Sequence, residues 1–201
     1  MKIFSAVLLM IFSTVVFAEN KGGLFIEPML TYENGEGDVN FPDPINNSDT
    51  EIDGFGLGAR LGFHVLESVF IGADGRYSLP RFKDSSLDQD VKSKAWNYGP
   101  VVGVQMPTTI DLRVWGSYII DGSIDPEKDQ DVDEKFSSAN GYRIGAEIKL
   151  GITSINLEYQ KLKYDKTEVD EVGTFPTGFS SGDIELENSS LILSVSFPIS
   201  L

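Results

Sequence analysis

The stretch DGFGLGARLGFHV, residues 53–65, places an apolar side chain at every second position: Phe55, Leu57, Ala59, Leu61, Phe63 and Val65. Gly56, Gly58, Arg60, Gly62 and His64 lie between them. A period of two is a β-strand with two unlike faces. In a soluble sheet the apolar face turns to the core; in a membrane barrel it turns to lipid. The alternation is the same in both cases, so the rest of the chain must decide.

Eight such segments recur, near residues 24–33, 53–65, 69–79, 95–106, 109–121, 140–150, 154–165 and 189–198. Each is about the ten residues that a tilted strand needs to cross a bilayer. The connections alternate in length. Residues 66–68, 107–108 and 151–153 form short turns, whereas 34–53, 80–94, 122–139 and 166–188 are long and polar. An up-and-down barrel with tight turns at one rim and long loops at the other has this rhythm. A soluble sandwich has no reason to sort its loops by parity.

Two further features favour the apolar face outward. The other face is rich in glycine and carries opposite charges, as a narrow interior with partnered ions requires. Aromatic residues of the apolar face, Tyr32, Phe55, Tyr77, Trp96, Tyr98, Tyr118 and Tyr142, collect toward the long-loop rim, as an interfacial girdle does. The expected fold is therefore all-β, an eight-stranded antiparallel up-and-down transmembrane β-barrel. The rival is a secreted, lipocalin-like barrel with an apolar lumen. Pro28 and Pro100 fall inside expected strands, where a bulge or local break is anticipated. Trp115 lies on the inward face as a space-filler. Lys161 breaks the alternation, so a bulge or emergence of the strand into water is expected there.

The chain opens with MKIFSAVLLMIFSTVVFAEN. A basic start, an apolar run from residue 3 to 17 and the tripeptide Val16-Phe17-Ala18 read as a signal peptide, residues 1–18, cut after Ala18. The run is short for a membrane span. Residues 19–201 then form the barrel domain. The 201-residue chain has no cysteine, which leaves no disulfide framework and no lipoprotein attachment. It ends on an expected strand, with no globular domain anticipated beyond it. The formal charge is −15; without Lys2 the mature chain has 15 basic against 31 acidic residues, or −16. Such acidity disfavours nucleic acid as a partner.

The stretches FIEPMLTYENG, GLGARLGF, INLEYQKLKYDK and SLILSVSFPI resemble those of the small outer-membrane β-barrel family, of the OmpA-barrel, OmpX and OmpW kind. The resemblance covers the whole mature chain. It implies a Gram-negative outer membrane, with short turns periplasmic, long loops outside, and outer-membrane lipid and lipopolysaccharide as surroundings.

Candidate site residues come from the inward face. Glu27, Arg60, Asp74, Arg76, Arg113, Arg143, Glu147 and Glu158 form an expected lumenal charge network, with Asp111, Lys149 and His64 on the same face. Arg60 with Asp74, and Arg113 with Glu147, fall at similar heights on neighbouring segments and are expected to pair across strands. An eight-stranded barrel is just wide enough for side chains to fill it. The alternative is a narrow pore, open where the charges do not interlock. His64 is the only histidine, and no serine is placed beside it, so no nucleophile–base pair is expected.

DPEKDQDVDEK, residues 125–135, resembles a calcium loop through Asp129, Asp131 and Asp133, but Glu134 stands where such a loop needs glycine. Loops 34–53 and 166–188 are acidic, and Ca²⁺ or Mg²⁺ is a possible partner there. No cofactor motif is present. Three functions are thus weighed: a surface-exposed structural barrel with acidic loops, a small-solute channel of the OmpW kind, and a barrel enzyme. The residues favour the first.

Overall fold

The computed structural model describes residues 23–42, 46–66, 68–85, 89–106, 111–128, 132–172, 175–181 and 184–201. The expected signal peptide lies outside the described residues.

Every described pairing is antiparallel. The strands are β1 (Leu24–Asn40), β2 (Ser48–Leu66), β3 (Val69–Asp84), β4 (Gln89–Met106), β5 (Leu112–Ile119), β6 (Asp121–Pro126), β7 (Val132–Leu150), β8 (Thr153–Val172), β9 (Phe175–Ser181), β10 (Glu185–Ser196) and β11 (Ile199–Ser200). β5 and β6 are two pieces of one stave between β4 and β7; β10 and β11 are two pieces of another, both paired with β1. The ring therefore closes with eight staves. β9 lies off the ring, against the outer end of β8.

Register measures the stagger. Phe25 faces Gly62, and successive partners are Gly72, Val101, Ser117, Arg143, Gln160 and Ser190, which faces Gly35 back on β1. One circuit thus returns ten residues further along the starting strand. Strand number and stagger together set a narrow tube.

The tube has two storeys of opposite polarity. In the lower one the opening stretch turns Phe55, Leu57 and Leu61 outward and buries Arg60 completely. In the upper one the sides exchange chemistry. Val39, Ile52, Phe82, Ile124, Phe136, Leu162 and Leu186 are buried inside, while Glu36, Glu51, Lys83 and Lys163 stand on the water side. The segments expected as long polar loops are therefore largely strand. β1 and β2 continue to Asn40 and back from Ser48, and β7 and β8 are 19 and 20 residues long. The reason is physical. Once a strand passes from lipid into water its apolar side must turn inward.

The two prolines behave differently. Pro28 keeps its place opposite Ala59 without a register shift. On its other side the hydrogen-bonded ladder is interrupted between β10 and β11, and the Pro28 carbonyl accepts from Phe197 N–H at 3.0 Å. Beside Pro100 the facing stave carries one extra residue. Val101 pairs with Ser117, but Tyr98 pairs with Asp121. This bulge sends Ile119 inward, fully buried, and leaves Ile120 outside. Lys161 needs no bulge. β8 runs through it in register with both neighbours, and it sits 3.6 Å from Glu187 in the water-facing storey.

Candidate functional site

The lower storey is filled by side chains at two heights. Nearest the short turns, Phe25, Phe70, Val101 and Trp115 make an apolar floor. Two glycines make room for it. A Cβ on Gly145 would come within 2.6 Å of the Trp115 ring, and one on Gly103 within 2.3 Å of Phe70. His64 packs against Phe25 and Phe70, with ring centroids 5.3 and 6.1 Å away.

Above the floor the structure brings the eight expected charges together, four arginines with four carboxylates. Glu27 on β1 is the lower hub. Its Oε2 accepts from Arg60 Nη1 at 3.0 Å and from Arg113 Nη1 at 2.9 Å, and its Oε1 accepts from the Ser196 hydroxyl at 2.6 Å. Arg113 also donates to Glu147 at 3.1 Å. Asp74 on β3 is the upper hub. It accepts two bonds from Arg76, at 3.0 and 3.1 Å, and one from Arg143. Arg76 Nη2 reaches on to Glu158 at 3.0 Å. Arg60 joins the two halves, with Nε 3.5 Å from Asp74 and Nη1 3.6 Å from Glu147. Its guanidinium lies 4.0 Å from the centroid of Trp115.

Charge alone would leave many of these donors and acceptors unfilled, and uncharged neighbours fill several of them. Arg143 donates to Asn97 at 2.7 Å and to Gln160, Ser194 donates to Glu158 at 2.7 Å, and Gln160 donates to Glu33 at 3.1 Å. The inward parity of Asn97, Gln160, Ser194 and Ser196 was visible in the sequence, but their membership in the network was not. Only register reveals which carboxylate or guanidinium each one meets. With Asn97 on β4 and Ser194 and Ser196 on β10, all eight staves contribute. Buried ions are tolerated when paired and hydrogen-bonded in this way.

Other inward expectations differ. Asp111 is exposed at the short-turn rim with φ 41°, and is no part of the network. Its positive φ, one residue before β5, turns it out of the strand's inward alternation. Lys149 is half-buried near the same rim. The seven aromatics Tyr32, Phe55, Tyr77, Trp96, Tyr98, Tyr118 and Tyr142 are all exposed on the outer wall. Trp96 stacks on Tyr98, with centroids 5.9 Å apart and planes 12° from parallel. Of the calcium-like loop, Asp129 and Asp131 lie outside the described residues, as do Asp43 and Asp183. Among the described residues no group of three or more His, Asp or Glu side chains is placed to hold a metal ion.

Above the network the apolar cluster of the upper storey forms a roof, with the Phe82 and Phe136 rings 6.0 Å apart. Above it, at the outer ends of β7 and β3 and outside the lipid-facing band, half-buried Glu134 has its carboxyl pushed up to about 7 by burial and by the neighbouring charge of Asp84. Asp84 itself accepts from the Ser48 hydroxyl.

No curated protein sequence matches the chain significantly. Solved structures do resemble it. Outer membrane protein AlkL, determined by solid-state NMR in lipid bilayers, aligns over 92% of this chain and 93% of its own, with 16% identity and a TM-score of 0.53. Neisserial surface protein A aligns over 87% and 96%, with 9% identity and a TM-score of 0.49. At such identities the likeness is one of fold. The profile of the outer membrane protein beta-barrel domain matches residues 4–197, nearly the full length. With its closed eight-stave ring and lipid-facing apolar wall, the chain belongs to the outer membrane protein beta-barrel family.

Proposed function

We propose that this protein is a closed, non-catalytic outer-membrane anchor that displays an acidic, β-structured tower at the cell surface. One observation carries the reading. The lumen is occupied at three successive heights, by the Phe25–Trp115 floor, the Arg–carboxylate network and the Phe82–Phe136 roof, and Arg60 and Arg143 within it are fully buried. Four positive and four negative side chains, paired with one another, fill the polar cross-section that a solute would need. His64, wedged between two phenyl rings, has the surroundings of a packing residue.

The long hairpins face outward in this reading, as the family arrangement implies. Their outer faces carry Glu36, Asp38, Glu51 and Asp53, which keep the surface hydrophilic beside anionic lipopolysaccharide. The test is single-channel recording in a planar bilayer with the purified, folded protein. A closed anchor gives no discrete conductance steps. Regular steps that scale with salt would overturn the reading in favour of a narrow channel.

A further inference from the structure

The acidic tower has one sector in which two lysines stand without an ion-pair partner among the described residues. On the outer wall of β4, counting away from the lipid, Tyr98 and Trp96 are followed by Lys94 and Lys92, both exposed. On β3, Tyr77 and Leu79 are followed by Arg81 and Lys83. Register sets Arg81 directly across from Lys92, and like charges so placed repel. Arg81 is answered by Asp90, at 2.9 and 3.1 Å, and Lys83 by Glu51 at 2.7 Å. Lys92 and Lys94 make no ion pair among the described residues, although Asp125 faces Lys94 in register. Elsewhere on the same storey Lys161 and Lys163 each reach a glutamate, at 3.6 and 2.8 Å. Two adjacent, unanswered ammonium groups go against the composition of a chain with almost twice as many acids as bases.

Directly below them the lipid-facing wall is hollow. An open groove of about 480 Å³ is lined by Leu57, Ala59, Gly75, Tyr77, Trp96 and Tyr98. Its floor is Gly75, where an added Cβ would meet only Tyr98, at 3.9 Å. Nearer the short turns a second apolar hollow of about 900 Å³ is lined by Ala73, Pro100 and Gly116 among larger neighbours.

We propose that this β3–β4 sector is a docking surface for a phosphorylated outer-leaflet glycolipid of the lipopolysaccharide type. Its phosphates sit on Lys92 and Lys94, and an acyl chain lies in the Gly75 groove. Charge complementarity selects the occupant. Two unpaired cations side by side suit a headgroup with more than one phosphate, whereas a zwitterionic phospholipid brings one phosphate with its own ammonium. The stacked Trp96–Tyr98 pair falls between phosphate and chain, at the depth that aromatic rings prefer. The proposal rests on the outward orientation of the tower given above.

The experiment uses folded, detergent-purified full-length protein titrated with lipid A and read by native mass spectrometry. Wild type is expected to hold lipid A, and K92Q/K94Q to bind it on the order of tenfold more weakly. The control K161Q/K163Q, whose lysines already have carboxylates, keeps wild-type affinity. G75L fills the groove and also weakens binding. Each variant is checked for its gel shift on boiling, so that loss of fold is separated from loss of binding. Equal affinity of wild type and K92Q/K94Q, or equal binding of lipid A and its dephosphorylated form, would overturn the assignment. Protease added to intact cells tests orientation separately. A tower left uncut there overturns the surface reading, whatever the lipid titration gives.

Discussion

Arg60 lies over the face of Trp115, its guanidinium carbon 4.0 Å from the ring centroid, while its Nη1 bonds Glu27 at 3.0 Å. One side chain thus couples the apolar floor to the ionic layer above it. Nε and Nη2 of Arg60 have no hydrogen-bond acceptor, so stacking on the indole and the nearby carboxylates are what hold them. A cation over a desolvated aromatic face is attracted by the ring quadrupole.

The consequence falls on Glu27. Its Oε2 is shared by Arg60 and Arg113, so E27L leaves two buried guanidinium groups facing each other. The expected cost is about 3–5 kcal/mol of barrel stability, the usual result of removing one partner of a buried ion pair. Urea unfolding in detergent, followed by the gel shift on boiling, measures it. E27Q keeps the shape and part of the bonding and should lose less. If E27L unfolds at the wild-type midpoint, the network contributes nothing to holding the staves together.

Trp115 gives the second prediction. Gly145 and Gly103 both back onto it, with added Cβ atoms 2.6 Å from its ring and 2.8 Å from its Cβ. G145V overpacks the floor and is expected to destabilise by about 1–3 kcal/mol. W115L removes the obstructing ring, so G145V in that background should cost much less. The double-mutant cycle reports this as a coupling. Strict additivity would mean that the glycine serves something other than the indole.

These relationships show how far the sequence could be read. Arg60, Asp74, Arg113 and Glu147 were placed inside by period alone, because the lipid-facing storey keeps one rule throughout. The upper storey was missed as strand because that rule reverses there. Val39, Ile52 and Phe82 are single apolar residues spaced among acids, and a search for apolar residues turned outward passes over them as loop. Lys161 marked the crossover point between the two rules. The roles of Asn97, Gln160 and Ser194 depended on stagger between distant strands, which no local pattern carries. The bulge beside Pro100 was foreshadowed by the missing N–H, but its place on the facing stave was not.

The tower should respond to pH through Glu134. Its carboxyl titrates near 7 because burial and Asp84 disfavour the anion, against an ordinary value of 4.5. A pKa raised on folding adds stability that is complete below the unfolded value and is lost as pH rises through the folded one. The upper storey is thus expected to be most resistant to proteolysis at pH 4.5 and below and to loosen progressively as pH rises from there through 7. E134Q removes the titration, so its profile over that window should be flatter than that of wild type. Parallel profiles for the two proteins would assign the pH response elsewhere.

Closure of the lumen rests on layers that do not touch the same residues, and this gives the last prediction. Phe82 and Phe136 belong to the roof, whereas Arg143 joins Asp74, Asn97 and Gln160 in the ionic layer below. F82A/F136A opens a cavity above and is expected to cost several kcal/mol, at about 3–5 for each buried phenylalanine truncated. The guanidinium–carboxylate layer still blocks ions, so this variant should stay silent in a planar bilayer. R143A alone leaves Asp74 and Gln160 without one of their donors and admits water, but the roof still caps it. Because the Phe25–Trp115 floor still seals the short-turn end, only a variant stripped in all three layers, F82A/F136A/R143A/W115A, and shown to be folded by its gel shift, should give conductance steps. Steps from F82A/F136A alone would mean that the ionic layer and the floor are both permeable and that the roof is the single gate.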